Sequence, residues 1–228
     1  MKAFMHDEFK QLGTDYNSVA EVSVYDQRMR KFRDIDAENH KTAALAKLSS
    51  DSRVLEIGAG TGAFTRFAAA NCRDVKAVDI SNVMLEYAAA QADKEGLSNI
   101  SFERSGFLTF QYKPGYFDAV ISSLALHHLS DLWKSVALRR ICDSLRPGGR
   151  LVLIDVVFDL SGGEPETYFG KLLDYAPGSR DEFARHIAEE LSTCNWIMTG
   201  LLERAGFRIL SDECINDFLH FYACEKQS

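Results

Sequence analysis

The stretch that decides the fold is VLEIGAGTGAFT, residues 54–65, in which an apolar run leads into three alternating glycines and a helix-forming segment. The run is typical of a buried strand, because parallel strands covered on both faces read as continuous apolar stretches. Glycine at positions 58, 60 and 62 permits positive φ angles and lets a ligand approach the backbone without a Cβ in the way. The pattern therefore predicts a turn that can hold a nucleoside cofactor.

Short β-rich runs alternate with helical runs from Arg53 onward. The strand-like runs are RVLEIG, DVKAVD, NISFER, FDAVISS, RLVLIDVV, GFRIL and FLHFYACEK, and helical stretches separate most of them. Such alternation predicts an α/β fold with a parallel sheet covered by helices on both faces.

Two segments fall outside this alternation. Residues 1–50 are polar and helix-leaning, which predicts an N-terminal helical segment ahead of a domain at 51–228. Prolines and four glycines between Phe158 and Arg180 predict a loop and cap inserted after the fifth strand, extending to about residue 195. The charged residues of RDEFARHIAEE, within that insertion, are expected on a solvated helix face.

The composition favours a globular protein that acts on small molecules. The chain has 228 residues, 46% of them hydrophobic, and a net charge of −7 that would repel nucleic acids. No run approaches the roughly 20 apolar residues that span a bilayer, and the polar start does not resemble a secretory signal, so we expect no membrane partner and a cytoplasmic location. The five cysteines form no CxxC pair, so neither a disulfide framework nor a metal site is expected. A monomer or homodimer is expected.

Two acidic residues help to decide which kind of cofactor the glycine turn binds. Gly58, Gly60 and Ala63 also fit the dinucleotide signature G-x-G-x-x-G/A, so a nicotinamide-dependent oxidoreductase is one alternative. Glu56, however, lies inside the strand, where a carboxylate is costly to bury unless a cation or a hydrogen-bond donor meets it. Asp79 ends the second strand, where a carboxylate can accept both hydroxyls of a ribose.

The chain resembles the class I S-adenosylmethionine-dependent methyltransferases, in particular small-molecule enzymes with the motif E-x-G-x-G-x-G. The resemblance extends from about Arg53 to Glu225 and includes five motifs in order: VLEIGAGTG, VDIS-x-x-ML, FDAVISSLALHHL, LRPGGRLVLID and LLERAGF. It implies a Rossmann-like, doubly wound sheet of about seven strands, mostly parallel, with an antiparallel last strand and an N-terminal helical lid.

The resemblance also implies roles for individual residues. The glycine turn would lie near the methionine part of the cofactor, Asp79 would bind the ribose, and Ile80 and Phe107 would lie by the adenine. Gly106 falls where many relatives have an aspartate that meets the adenine amino group, so either backbone groups and Phe107 hold the adenine or the affinity for the cofactor is reduced. The expected cofactor contacts are Glu56, Gly58, Ala59, Gly60, Gly62, Asp79, Ile80, Gly106, Phe107, Ser123 and Tyr25.

Candidates for catalysis follow the fourth and fifth strands, whose carboxyl ends border the ligand crevice of open α/β sheets. If the acceptor must lose a proton early, His127, His128 and Asp155 are the candidates for a general base, although a histidine can also pack beneath the next helix and an aspartate can cap one. Tyr16 and Tyr25 resemble residues of an N-terminal segment that folds over the cofactor, or they anchor a helix.

These features predict methyl transfer from S-adenosylmethionine to an oxygen, nitrogen or carbon atom of a small organic acceptor, with S-adenosylhomocysteine as product. Two alternatives stay open. An oxidoreductase would need a proton relay such as Tyr-x-x-x-Lys, which the sequence lacks. A regulatory protein would keep the cofactor site without transferring a methyl group.

Overall fold

The computed structural model describes residues 4–10, 18–30, 33–160, 164–174 and 180–227. The strands are β1 (Arg53–Ile57), β2 (Asp74–Asp79), β3 (Ile100–Arg104), β4 (Phe117–Ser123), β5 (Leu145–Phe158), β6 (Thr193–Cys194), β7 (Phe207–Ile215) and β8 (Leu219–Lys226). The α-helices are α1 (Val19–Met29), α2 (Ile35–Leu45), α3 (Ala63–Ala69), α4 (Asn82–Lys94), α5 (Asp131–Ser144), α6 (Pro165–Asp174), α7 (Arg180–Glu189) and α8 (Asn195–Arg204), and a 3-10 turn covers Leu126–His128.

The strands form one mixed sheet in the order β3-β2-β1-β4-β5-β8-β7, and the two-residue β6 pairs with β5. Neighbouring strands are parallel except at β8, which runs antiparallel to both β5 and β7. The predicted fold is confirmed, including the antiparallel last strand. The chain order reverses between β1 and β4, so a crevice opens at the carboxyl ends of these two strands.

The central strands of the sheet are buried on both faces, as their continuous apolar runs predict. Successive residues of β5 alternate between two hydrophobic clusters: Leu151 and Leu153 pack with the α5 and α8 side, and Val152 and Ile154 pack with the α3 side. Burying a side chain of this size stabilises the fold by about 1.5–3 kcal/mol. The core thus holds the strand ends rigidly around the crevice.

The insertion after β5 contains helices where the sequence indicated a loop. Pro165 begins α6, a position where its missing N–H is not needed, and Gly170 lies inside the same helix with open space around it. The insertion has its own hydrophobic cluster of Val156, Phe158, Leu172 and Phe183. Reading proline and glycine only as helix breakers therefore missed α6.

The N-terminal helices pack over the glycine turn. Thr61 Oγ1, within the turn, donates to Asp26 Oδ1 of α1 at 2.5 Å, and α2 packs against α3. Tyr16 lies outside the described residues. Among the described residues, no helix has the length and apolar character needed to cross a membrane.

Candidate functional site

Two cavities meet at the crevice between β1 and β4. The first has a volume of about 870 Å³ and the second about 810 Å³, both including space open to solvent. Four residues line both cavities: Tyr25, Gly58, Gly60 and Ser123. The glycine turn therefore forms the boundary at which one elongated ligand could occupy both spaces.

The three glycines of the turn differ in what surrounds them, although φ is positive at each (+77°, +54° and +76°). A Cβ on Gly58 would lie 2.4 Å from the Cβ of Ala125, and one on Gly62 would lie 2.8 Å from the Cβ of Ala88. A Cβ on Gly60 would meet no atom within 4 Å and would project into the cavity space. Gly62 lines neither cavity, and its close approach to Ala88 allows α3 to pack against α4.

Asp79 is held at the mouth of the first cavity by the backbone around it. One carboxylate oxygen accepts the N–H of Gly60 at 2.8 Å, and the other accepts the N–H of Ser81 at 2.8 Å. Burial raises the pKa of Asp79, and these two hydrogen bonds oppose the shift. The carboxylate is thereby fixed beside the glycine turn with further lone pairs available to a ligand.

The wall of the first cavity beyond Asp79 explains the glycine at position 106. Ile80, Gly106 and Phe107 line this wall, together with Glu8 from the N-terminal segment. A Cβ on Gly106 would lie only 2.5 Å from Glu8 Oε2. Glu8 is buried, and it accepts the N–H of Leu108 at 2.9 Å. Glycine at 106 thus leaves room for the close approach of a carboxylate that the sequence places about a hundred residues away.

The second cavity contains charges of both signs. Glu56 and Ala59 line it, as does Arg33, whose guanidinium pairs with Glu38 and donates to Ser123 Oγ at 3.2 Å. Burial raises the pKa of Glu56 to about 8, although the hydrogen bond from Thr65 Oγ1 lowers it. A neutral acid in this position can become a carboxylate when a cation enters the cavity.

The two adjacent histidines have opposite environments. His127 is buried, with Nδ1 2.5 Å from Asp155 Oδ1 and Nε2 2.9 Å from Glu190 Oε2. Burial alone would lower the pKa of His127, but these two carboxylates raise it to about 9. His128 lines the first cavity, and burial together with the charge on His127 lowers its pKa to about 4.

Asp155 faces His127 rather than the crevice. Its side chain is 0% exposed, lines neither cavity, and accepts the N–H of Val156 as well as contacting His127. His127 lines neither cavity. Of the three residues expected to be catalytic, only His128 therefore borders the space that a substrate can enter.

Sequence reasoning missed several residues that the fold brings to this edge of the sheet: Glu8, Asp26, Arg33, Glu38, His186 and Glu190. His186 and Glu190 contradict the expectation of a fully solvated helix face, because the Glu190 side chain is only 9% exposed. Their i, i+4 spacing places Glu190, the residue after α7, on the same side as His186, and this signal was available in the sequence. Glu8 had an indirect signal, since Gly106 left an acceptor to be supplied from elsewhere.

Comparison with known proteins agrees with this geometry. Residues 54–149 match the protein family described as a methyltransferase domain. An uncharacterized methyltransferase of Bacillus cereus is 26% identical over 222 residues, which cover 95% of this chain and 100% of that protein.

Two solved structures are similar in fold. One is the methyltransferase in complex with the Haloferax volcanii Trm112 methyltransferase activator (TM-score 0.73, 14% identity, 94% of this chain and 98% of that chain). The other is the N-methyltransferase NodS of Bradyrhizobium japonicum in complex with S-adenosylhomocysteine (TM-score 0.67, 18% identity, 93% and 98%). The sheet order is that of the Rossmann-like methyltransferase fold seen in these structures. Together with the match of residues 54–149 to a methyltransferase domain, the fold supports a class I S-adenosylmethionine-dependent methyltransferase.

Proposed function

We propose that this protein transfers the methyl group of S-adenosylmethionine to an oxygen, nitrogen or carbon atom of a small organic acceptor. The observation that carries the proposal is Gly60, an open position on a turn that borders both cavities. A Cβ there would fill space that the protein leaves empty, and Asp79 and Glu56 lie on either side of it. Such an arrangement suits a ligand with a ribose at one end and an amino acid at the other.

The nucleoside part of the cofactor is assigned to the first cavity. Asp79 would accept the ribose hydroxyls, while Ile80 and Phe107 supply apolar surface for the adenine ring. The methionine part is assigned to the second cavity, where Glu56 can meet its ammonium group and Arg33 its carboxylate. Tyr25 and Ser123, which line both cavities, would contact the middle of the cofactor, and Gly58 and Ala59 would contact it through the backbone.

Glu8 takes the place of the acid missing at position 106. Its carboxylate lies against Gly106 and borders the cavity assigned to the adenine. Thr109 Oγ1 donates to Oε1 at 2.6 Å and Leu108 N–H to Oε2, which fixes the carboxylate while leaving lone pairs for the adenine amino group. The N-terminal segment would then select the base of the cofactor as well as cover it.

The chemistry that S-adenosylmethionine supplies is a methyl group already activated on a sulfonium, so the chain needs no covalent nucleophile. Its tasks are to align the acceptor with the methyl group and to exclude water. His128 borders the first cavity and is the side chain proposed to contact the acceptor. His127 and Asp155 are assigned a positioning role, because Asp155 holds the His127 ring against which His128 packs at 4.4 Å between centroids.

The N-terminal segment, residues 1–50, is proposed to act as a lid, and the insertion at about 158–195 as a cap on the domain at 51–228. Tyr25 borders both cavities and Asp26 accepts a hydrogen bond from Thr61 of the glycine turn, and these contacts support a covering role for α1. A closed cover would shield the sulfonium from water, as lids commonly do. An acceptor that enters such a covered crevice is a small molecule rather than a nucleic acid, in line with the net charge of −7.

The test of function is transfer of radiolabelled methyl from S-adenosylmethionine to a panel of small phenols, amines, thiols and activated carbon acids. We expect product with the parent protein and none with Gly60→Val. Cofactor binding without product across the panel would favour a regulatory protein. Tighter binding of NAD than of S-adenosylhomocysteine would favour the oxidoreductase.

The role of Glu8 is tested with S-inosylhomocysteine, in which a carbonyl replaces the adenine amino group. A hydrogen bond to a charged group contributes about 1.5–3 kcal/mol, so the parent should prefer S-adenosylhomocysteine by about tenfold or more. Glu8→Gln retains an oxygen for Leu108 N–H and can donate to the carbonyl, so this preference should shrink. An unchanged preference in the variant would mean that Glu8 does not contact the base.

A further inference from the structure

We infer that His127, His186 and Glu190, which we call the histidine cluster, bind one divalent transition-metal ion of the zinc class. One potential ligand atom from each residue lies within 4.8 Å of the other two. His127 lies on the 3-10 turn after β4, whereas His186 and Glu190 come from one face of α7 and its end. The inference goes beyond methyl transfer and does not depend on where the cofactor binds.

The three side chains converge on one point. Glu190 Oε2 lies 2.9 Å from His127 Nε2 and 2.8 Å from His186 Nδ1, yet this oxygen forms no hydrogen bond. Zinc bonds of about 2.0–2.1 Å in tetrahedral geometry place ligand atoms roughly 3.3 Å apart. If the distance from Glu190 Oε2 to each histidine nitrogen increased by about half an ångström, the ion would fit. Small side-chain adjustments can supply such a change.

Buried polar atoms without a hydrogen bond are concentrated around this point. In the part of the chain that the structure describes they are His128 Nδ1, Asp155 Oδ2, His186 Nε2, Glu190 Oε2, Ser192 Oγ, Thr193 Oγ1 and His220 Nε2. All belong to the cluster, to its neighbours along the chain, to Asp155, or to His220, which lies opposite Asp155 in the β5–β8 register. Such atoms are few in folded proteins, and a bound ion or water is one of the explanations for them. Their grouping at one place is the second observation in support of a bound ion.

The surroundings of His127 are those of a metal ligand. Its Nδ1 contacts Asp155, and a carboxylate in that position fixes the tautomer that leaves Nε2 free to coordinate. Two imidazoles and one carboxylate favour zinc, iron, cobalt or nickel over magnesium or calcium, which prefer all-oxygen sites. Three protein ligands leave a coordination position open, and the 21% exposure of the His186 side chain provides an entry path.

The ion would join two parts of the molecule that lie far apart in the sequence. It would fasten α7 to the end of β4, next to His128, which forms part of the wall of the first cavity. A metal at this point would order the insertion beside the crevice.

The test is titration of the metal-free, full-length protein with Co²⁺, whose visible absorption reports its ligands, and with Zn²⁺ by calorimetry. All proteins should carry Cys214→Ser, because that thiol is exposed and free. We expect one ion per chain, a spectrum of tetrahedral or five-coordinate cobalt without thiolate absorption, and a raised melting temperature. Asp155→Asn should weaken binding about 10- to 100-fold, and loss of a ligand in His186→Gln or Glu190→Gln should weaken it further.

His40→Gln is the matched control, since His40 is exposed and lies outside the cluster. Circular dichroism and S-adenosylhomocysteine binding verify that each variant is folded. The proposal is overturned if no stoichiometric ion binds. It is also overturned if His186→Gln binds Co²⁺ as tightly as the parent and the His40→Gln control do.

Discussion

The glycine turn and the histidine cluster both lie at the carboxyl edge of the sheet, and both bury a strand carboxylate. Glu56 of β1 accepts a hydrogen bond from Thr65, nine residues further along the chain, and it lines the second cavity. Asp155 of β5 is bonded by His127, 28 residues earlier, and it faces neither cavity. The glycine turn is thus formed by residues close in the sequence and is open to a ligand. The histidine cluster is formed by elements distant in the sequence, and a helix of the insertion covers it.

The largest effect is expected at the open glycine. Gly60→Val should abolish binding of S-adenosylhomocysteine, because a branched side chain would occupy the space where the two cavities meet. Calorimetry on folded protein measures this. Valine at positive φ also strains the backbone by about 1–2 kcal/mol.

Gly96→Val separates strain from occlusion. Gly96 has a φ of +69°, has no atom near its added Cβ and lies outside both cavities. This variant should lose similar stability and keep its affinity. Unchanged affinity in Gly60→Val would remove the turn from the cofactor site.

The second-largest loss of affinity is expected at Asp79, the acid that ends β2. Asp79→Ala should weaken S-adenosylmethionine binding by about 1.5–3 kcal/mol, the contribution of hydrogen bonds to a charged group, without creating a preference for NADP. Asp79→Asn keeps an oxygen for the N–H of Gly60 or Ser81 and should lose less. Titration of the parent and both variants with S-adenosylmethionine and NADP checks the order of the affinities. Equal losses of affinity in the two variants would mean that Asp79 supports the glycine turn and does not bind the ribose.

Glu56 gives cofactor binding a dependence on pH. With a pKa of about 8, Glu56 is protonated in the free protein at neutral pH, and an entering ammonium group favours the carboxylate. Binding below pH 8 must therefore release a proton, at a cost of up to about 1.4 kcal/mol for each pH unit. The affinity for S-adenosylhomocysteine should rise from pH 6 and level off near pH 8. Calorimetry in two buffers of different ionisation enthalpy detects the proton, and Glu56→Gln should abolish its release; release unchanged in that variant would contradict the assignment.

The smallest change in affinity is expected at the third glycine. Gly62→Ala places a Cβ 2.8 Å from that of Ala88 at a φ of +76°, so α3 and α4 must separate. Overpacking of this kind costs about 1–3 kcal/mol of stability. Thermal unfolding should detect that loss while the affinity for S-adenosylhomocysteine stays close to that of the parent. A large loss of affinity with unchanged stability would return Gly62 to the ligand site.

The same contrast explains what the sequence could predict. Strand periodicity, the glycine turn and Asp79 are local signals, so the sheet followed from the strand runs after Arg53 and one end of the crevice followed from residues 53–79. The Glu8 contact with Leu108 and the His127 contact with Glu190 depend on how distant segments pack, and no periodicity encodes such pairs. The helix α6 was missed because proline at a first helical position looks like a breaker when the helix boundary is unknown.

The central claim is that one cofactor spans both cavities beneath the N-terminal lid, and hydrogen exchange with and without S-adenosylhomocysteine tests it most directly. We predict added protection at residues 56–62, 79–84 and 18–30, with α7 unchanged. Protection at the turn, with residues 18–30 equally protected in both states, would make α1 a fixed helix and leave acceptor entry to the insertion. Unchanged exchange at residues 56–62 and 79–84 with saturating ligand would contradict the account.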